Sequence, residues 1–535
     1  VTVQQVVLLR RNRSVGSPEG ERSDLLASSN SSQILNRFSM LKRDWYLVIF
    51  SALLMSLAYP PLPFGFAIYF ALVPLLFALE GKGLSDAFKI GYLFGLVSNS
   101  LLLFWIGWAT VPGAVAALVL LCLYTAFLTW FYALIHRKWG TSSLFFLPFL
   151  WVAMEYVRSL TEISFPWLNL AYTQTYYLKL IQYASFTGNY AVSFWIVCLN
   201  LTIYLIIKYK RKIVLAVTIF AALIILPYIH GWHEFRVLGS AMSEKTEQGC
   251  VRIALLQGSI EPKVKWDQRF LDYNIRTFID MSKEAAKEDL DLILWPETAA
   301  PCYLASESFY MDEVQATSDL LNTPLLVGTN DYEFNEEGRI LYYNSAFLFK
   351  PKGGYPQIYN KIHLVPFSEK IPYDEKLRIS DKVQLGQSDF SSGRDLTIFQ
   401  IPKGRFATLI CFESVYPDLV RDFVREGTVF LVNITNDGWF GKTHGPFQHA
   451  QIAVFRAIEN RISIARCANT GVSMFIDPLG RVKKATKIYI RTTAIDQIPS
   501  KLKDTFYTRH GDWFAQGCFL VGLFAILASL IKRRV

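Results

Sequence analysis

A chain of 535 residues in which 52% are apolar and only 18% charged has more apolar surface than one aqueous core can hide, which excludes a purely soluble protein. The formal charge of +10 forms no clustered basic face. It sits in the N-terminal tail and in short groups beside apolar runs (Arg137-Lys138, 208–212 and 532–534), which excludes a nucleic-acid groove and points to membrane orientation.

In chain order, residues 1–43 are polar, Ser-rich and basic, and read as a flexible cytoplasmic tail. Apolar runs follow at 45–59, 64–79, 88–108, 111–135, 143–157, 190–207 and 213–229, so 44–230 is expected to form a transmembrane bundle of seven spans. Several runs are shorter than the ~20 residues of a perpendicular span. Seven so close together leave almost no amphipathic face for a soluble core. An eighth run at 513–531 lies in the C-terminal segment 512–535, which ends in Lys532-Arg533-Arg534. If each run spans, the tail, the Lys82/Lys89 connection, Arg137-Lys138, 208–212 and the basic C-terminus all fall on one side. The alternate loops 60–63 and 109–113 carry no Lys or Arg. The rule that Lys and Arg stay cytoplasmic then places both ends inside and residues 231–511 outside.

That block reads as one α/β domain. Strands are expected at 252–256, 290–295, 325–328, 345–349, 406–410, 429–433, 462–465 and 472–476, with helices such as 272–286 and 448–460 between them. Three positions share one logic, a reactive side chain just past the end of an apolar string, where α/β sheets collect function. They are Glu297 in Trp295-Pro296-Glu297-Thr298, Lys361 in the segment 358–369, and Cys411 in Cys411-Phe412-Glu413. Taken singly, each has a plain structural explanation: a capping carboxylate, a solvated lysine, a buried thiol.

Among seven cysteines, Cys122, Cys198 and Cys518 lie in apolar segments, and Cys250, Cys302, Cys411 and Cys467 lie in the α/β block. They show neither CxxC spacing nor the density of a disulfide framework. Cys467 has no Glu at a useful spacing and is expected to pack in the core. His444 and His449, five residues apart, do not share a helical face, so no zinc site is expected.

In this order, and each at a strand end, Glu297, Lys361 and Cys411 resemble the Glu–Lys–Cys triad of the nitrilase, or carbon–nitrogen hydrolase, superfamily over about 251–499. The whole pattern, from about residue 43 on, resembles the apolipoprotein N-acyltransferase family, with matching segments at 295–298, 361–369, 411–413 and 436–441. The resemblance implies a transmembrane bundle of about eight spans plus an extracytoplasmic α/β nitrilase-like α-β-β-α sandwich, in the bacterial inner membrane. Glu297 would take the Cys411 proton, Lys361 would meet the oxyanion, and the product of attack would be a thioester. It further implies a ping-pong transfer of an sn-1 acyl chain from a membrane phospholipid to the α-amino group of a diacylglyceryl-cysteine lipoprotein. No cofactor takes part, and a monomer is expected. Glu369 and Glu413 carry over as supporting carboxylates, Trp266 and Trp439 as aromatics on mobile loops lining an entrance. Phe412 stands where many relatives have Tyr. Two other readings stay open: a membrane-anchored amidase or nitrile hydrolase with water as acceptor, and a non-enzymatic membrane scaffold.

Overall fold

A computed structural model describes residues 42–209, 213–245, 249–373 and 390–531; the tail and the final basic group lie outside them. Helix α1 is Lys42–Leu57, α2 Leu84–Leu103, α3 Val111–Trp139, α4 Leu147–Val157, α5 Asn189–Lys208 and α6 Ile213–Lys245. Four stretches are long and apolar enough to cross a membrane: Val111–Val157, Asn189–Lys208, Ile213–Met242 and Trp513–Leu530, the last being the C-terminal helix, here called α11. The run expected at 64–79 is broken into Gly65–Ala67, Ile68–Ala71 and Val73–Leu79. Helix α6 continues 15 residues beyond His230, and Pro227 sits inside it.

The basic connections meet in space. Lys82 pairs with Asp44 at the start of α1, Lys208 lies 3.1 Å from Glu80, and Lys138 donates to the carbonyls of Ala528 and Ile531 at the end of α11. The ends of α3, α5 and α11 are therefore tied to basic side chains.

The remaining chain folds as two sheets between helices. One runs β13-β1-β2-β4-β5-β6, with β3 paired to β4; the other runs β12-β11-β10-β9-β8-β7. Their strands are β1 Cys250–Gln257, β2 Leu292–Leu294, β3 Ala300–Tyr303, β4 Leu325–Phe334, β5 Ile340–Phe349, β6 Gln357–Asn360, β7 Phe399–Ile401, β8 Gly404–Ile410, β9 Phe430–Thr435, β10 Ser463–Ala468, β11 Met474–Ile476, β12 Val482–Lys483 and β13 Thr492–Pro499. The central strands β1, β2 and β4 run parallel in one sheet, and β8, β9 and β10 in the other.

Parallel strands covered on both faces must be apolar at every position, and the side chains sort accordingly. Ile253, Leu255, Leu292 and Leu294 join a cluster with Phe406, Leu409 and Ile464 of the other sheet. Their alternates Ala254, Leu256, Ile293 and Trp295 pack under helix α7 (Leu271–Ala285) with Ile275, Phe278 and Ile279. Helix α8 (Ser308–Leu321) extends that outer layer through Val314. On the far side, α9 (Pro417–Arg425) and α10 (Gly445–Asn460) cover the second sheet. Cys467 points between the sheets, its Sγ 3.3 Å from the carbonyl of Leu294 and 3.5 Å from that of Leu256.

Helix α10 is buried on nearly every side because the apolar bundle packs on its outer face. Its polar residues are consequently spent across that contact. Glu459 accepts from the backbone and side-chain nitrogens of Asn189 at 2.9 and 3.1 Å and pairs with Arg456 at 2.9 Å. Next to it, Arg461 reaches Gln182 at 2.6 Å and Glu234 of α6 at 3.0 Å. A buried charge is tolerable only when paired and hydrogen-bonded. This joint therefore fixes how the sandwich sits on the bundle.

Candidate active site

Three strand ends converge. After β2 the N–H of Trp295 still donates to Leu326 at 2.8 Å, but Pro296 has no N–H to give, so the ladder stops there. The chain turns over Gly328, where a Cβ would lie 2.3 Å from the Pro296 carbonyl, and Thr298 takes φ +46°. Glu297 is thereby turned inward. On β6 the last ladder bond runs from Lys361 N–H to Asn344 at 2.9 Å, and the Lys361 side chain is wholly buried. At the end of β8, Cys411 has φ +53°. For a residue with a Cβ that conformation costs about 1–3 kcal/mol, and it turns the thiol out of the sheet plane.

The polar contacts define a compact cage. Lys361 Nζ lies 2.8 Å from the Glu369 carboxylate and 3.9 Å from Glu297 Oε1. Asn344 Nδ2 donates to both carboxylates, at 2.8 Å to Glu297 and 3.2 Å to Glu369. The second oxygen of Glu297 accepts from Asn436 N–H at 2.7 Å, and that of Glu369 from Val365 N–H at 2.8 Å. Burial pulls the Lys361 ammonium down, but Glu369, Glu297 and Cys411 outweigh it and hold the amine charged. The Cys411 thiol is pushed well up by burial and by Glu297, against the pull of Lys361. A thiol held in this state needs a base if it is to act as a nucleophile, and the Glu297 carboxylate lines the same cavity.

Glu413 works behind the nucleophile. It accepts from the N–H of Ile410 and of Ile362 at 2.7 Å, from that of His363 at 3.2 Å, and from the Tyr359 hydroxyl at 2.7 Å. It thus ties the turn bearing Cys411 to the segment bearing Lys361. Burial pushes its carboxyl up to about 7, against the Ile410 N–H, the charge of Lys361, the Tyr359 hydroxyl and the Ile362 N–H. Glu413→Gln would set an NH2 against backbone N–H groups. It is expected to lower turnover by about 10–100-fold with little change in KM, which steady-state kinetics would show.

Of the residues singled out from sequence, Trp266, Glu297, Glu369, Cys411, Phe412 and Trp439 line one cavity, while Lys361 and Glu413 stand directly behind its wall. Phe412 stacks on Phe165 and Trp167, with ring centres 5.8 and 6.1 Å away. The cavity's opposite wall is one face of α3: Gly113, Ala117, Leu120, Leu121 and Tyr124. The trough therefore leads from the thiol onto an apolar helix of the bundle.

Sequence reading missed four contributors. Asn344 is a single amide with no motif to mark it, and Asn436 opens the segment 436–441, which by itself assigns it no role. Lys265 is buried, donates to the Glu297 carbonyl at 2.8 Å, and is drawn down to about 7 by burial, against the attraction of Glu297 and Cys411. Folded Lys265 thus loses its proton well below its unfolded range. Its contribution to stability is present above the unfolded pKa and falls away as pH drops toward 7. Lys265→Met is expected to flatten the rise in Tm between pH 7 and 10.5, read by melting the detergent-solubilised protein across that range.

The fourth is His449, which sits behind Cys411. Its Nδ1 is 2.8 Å from Asp437, its Nε2 3.1 Å from the Cys411 carbonyl, and Arg466 holds the second Asp437 oxygen at 2.9 Å. Among the described residues no group of three or more His, Cys, Asp or Glu is arranged to hold a metal ion.

Comparison with known proteins gives two family matches. The carbon-nitrogen hydrolase model matches residues 252–505, and the model of the apolipoprotein N-acyltransferase N-terminal domain matches 51–202. The chain is 35% identical over 517 residues to the apolipoprotein N-acyltransferase of Geobacter metallireducens, covering 92% of this chain and 96% of that one. It is 33% identical over 526 residues to that of Chlorobaculum tepidum, covering 92% and 98%. Among solved structures, a Nesterenkonia amidase aligns with 50% of this chain and 96% of its own at 17% identity and a TM-score of 0.38.

Proposed function

The chain belongs to the apolipoprotein N-acyltransferase family and is an acyltransferase of the carbon–nitrogen hydrolase superfamily, and on that footing we propose that it N-acylates lipoproteins through a thioester on Cys411. The donor is the sn-1 chain of a membrane phospholipid; the acceptor is the α-amino group of an N-terminal S-diacylglyceryl-cysteine. The one observation that carries this reading is the position of the thiol, at the base of a trough whose far wall is the apolar face Gly113–Tyr124 of a candidate membrane helix. A hydrolase of soluble amides has no use for such a wall, whereas an acyl chain needs one.

Each group in the cage has a step. Glu297 takes the Cys411 proton as sulfur attacks the ester carbonyl, and Lys361 offsets the negative charge that develops on oxygen. Glu297 returns the proton to the departing lysophospholipid oxygen. In the second half the amine of the lipoprotein attacks the thioester, giving its proton to Glu297, and the thiol is regenerated. Eight spans, with the sandwich on the extracytoplasmic face of the bacterial inner membrane, bring donor, acceptor and site to one leaflet.

The test is to incubate detergent-solubilised protein with phospholipid radiolabelled in its sn-1 chain. Label on the protein that is released by neutral hydroxylamine and chased by a diacylglyceryl-cysteine peptide supports the reading. Label that water clears as fast as the peptide does would replace the transferase with a hydrolase.

A further inference from the structure

A second cavity, of about 270 Å³, lies where the sandwich meets the bundle, between the end of α4, helix α9 and the start of α11. Unlike the acyl trough its wall is largely polar, with Arg421, Arg425 and Arg509 facing Asp418 and Asp512. The charges are unevenly engaged. Arg421 is 3.7 Å from Asp512 and 3.6 Å from Asp422, and Asp512 also accepts from Tyr507 at 2.8 Å. Arg421 is packed so closely on the backbone at Gly511 that a Cβ there would come within 2.4 Å of its Nη1. Arg425 and Arg509, by contrast, are exposed and form no ion pair with a described carboxylate.

Two features place this crevice at the water–lipid boundary. It opens at the base of the apolar helix α11, beside the half-exposed rings of Phe186, Phe506 and Trp513, the first two stacked with centres 4.1 Å apart and Trp513 edge-on to them at 5.7 and 6.0 Å. Aromatic belts of this kind sit at headgroup level. The crevice also lies at the end of the bundle opposite the Lys138 contact with Ile531. With Arg421 already paired, Arg425 and Arg509 are the guanidiniums of the crevice that stand at ion-pair distance from no described carboxylate.

We propose that the crevice binds the phosphate of a phospholipid headgroup in the leaflet that faces the catalytic domain, with Arg425 and Arg509 as the contacting guanidiniums and Arg421 as the fixed cation behind them. This rests on the membrane placement given under the proposed function. Two guanidiniums on one phosphate make charge-assisted, paired hydrogen bonds. The site is next to the acyl trough: Pro417 of the crevice follows Tyr416, whose ring meets Phe412 at 5.3 Å and His363 at 4.2 Å. A lipid held by its phosphate there stands one aromatic residue away from the thiol-bearing cavity.

The experiment is native mass spectrometry of the full chain in detergent, titrated with dioleoylphosphatidylglycerol and, separately, with dioleoylglycerol, which lacks the phosphate. The wild type should retain the phospholipid and not the diglyceride, and the Arg425→Gln/Arg509→Gln double variant should bind the phospholipid about tenfold more weakly. Both residues are exposed, so the variant keeps its packing. Equal retention of both lipids, or undiminished binding by the variant, overturns the proposal. So does full displacement by inorganic phosphate, which would make this a soluble-anion site. Acyl-enzyme formation is read on the same samples. Normal acylation with unaltered lipid retention in the variant fails the crevice alone, whereas retained lipid without any acyl-enzyme in the wild type fails the transferase reading alone.

Discussion

Cys411→Ser lowers acyl transfer by an expected 10⁴-fold or more, on the order seen when a nucleophile acting as one unit with its base is removed, while the protein folds and melts as the wild type does. The side chain changes by one atom, and the turn that carries it is held from outside by Glu413 and by His449 on its carbonyl. What is lost is chemistry. A thiol pushed up by burial and by Glu297 is still far easier to deprotonate than a hydroxyl in the same place. Any ester formed on serine would also resist amines better than a thioester does. Intact-protein mass spectrometry after exposure to donor phospholipid reads the result directly: an acyl adduct on the wild type, and none, or one stable to neutral hydroxylamine, on the variant. Transfer to peptide at a tenth of the wild-type rate or better in either Cys411→Ser or Cys411→Ala would remove Cys411 from the mechanism.

The residues legible in the sequence were those whose chemistry needs a strand end. Pro296 announces its own turn, so Glu297 could be placed. Ile358 to Lys361 and Phe406 to Cys411 are apolar strings closed by a polar or reactive side chain, so they too were visible. The strands that escaped have physical reasons to do so. The pair β12, Val482–Lys483, is two exposed residues at a sheet edge. Strand β13 carries Asp496 and Gln497 and is an edge partner of β1, so its pattern is not that of a buried strand. Strand β4 reads as 325–328 because its sequence turns polar at Thr329, and its far end, 331–334, leaves the core and pairs only with β5 as a hairpin arm.

In the bundle, an apolar run shows that a segment is buried in something, not that it is one helix. The region 64–79 opens with a 3-10 turn and is interrupted again at Leu72. Helix α6 outlasts its apolar stretch because its last turns lie along the sandwich, where Glu234 meets Arg461 and Leu238 and Met242 pack on Leu479. The amide Asn344 and the amine Lys265 act through tertiary placement, which no local pattern marks, and the segment 436–441 does not by itself show that the Asn436 N–H meets Glu297.

Lys361→Met should be as revealing as loss of the nucleophile, because it fails in two measurable ways. The first is kinetic. In the proposed mechanism Lys361 is the buried cation that meets the developing oxyanion, and removing one such stabiliser costs about 10²–10³-fold in kcat. The second is thermodynamic. In the wild type the ammonium stands 2.8 Å from Glu369 and 3.9 Å from Glu297, and the side chain has no contact with solvent. Methionine fills the space but leaves two mostly buried carboxylates facing each other across Asn344, which donates to both. Breaking a buried pair from one side costs about 3–5 kcal/mol. Lys361→Met should therefore melt well below the wild type, which thermal melting of the detergent-solubilised protein would show. Lys361→Met/Glu369→Gln removes one of the stranded charges and should restore most of the stability and none of the activity. Recovery of turnover in the double variant would show that Lys361 only balances Glu369. Recovery of stability alone assigns the ammonium to the oxyanion.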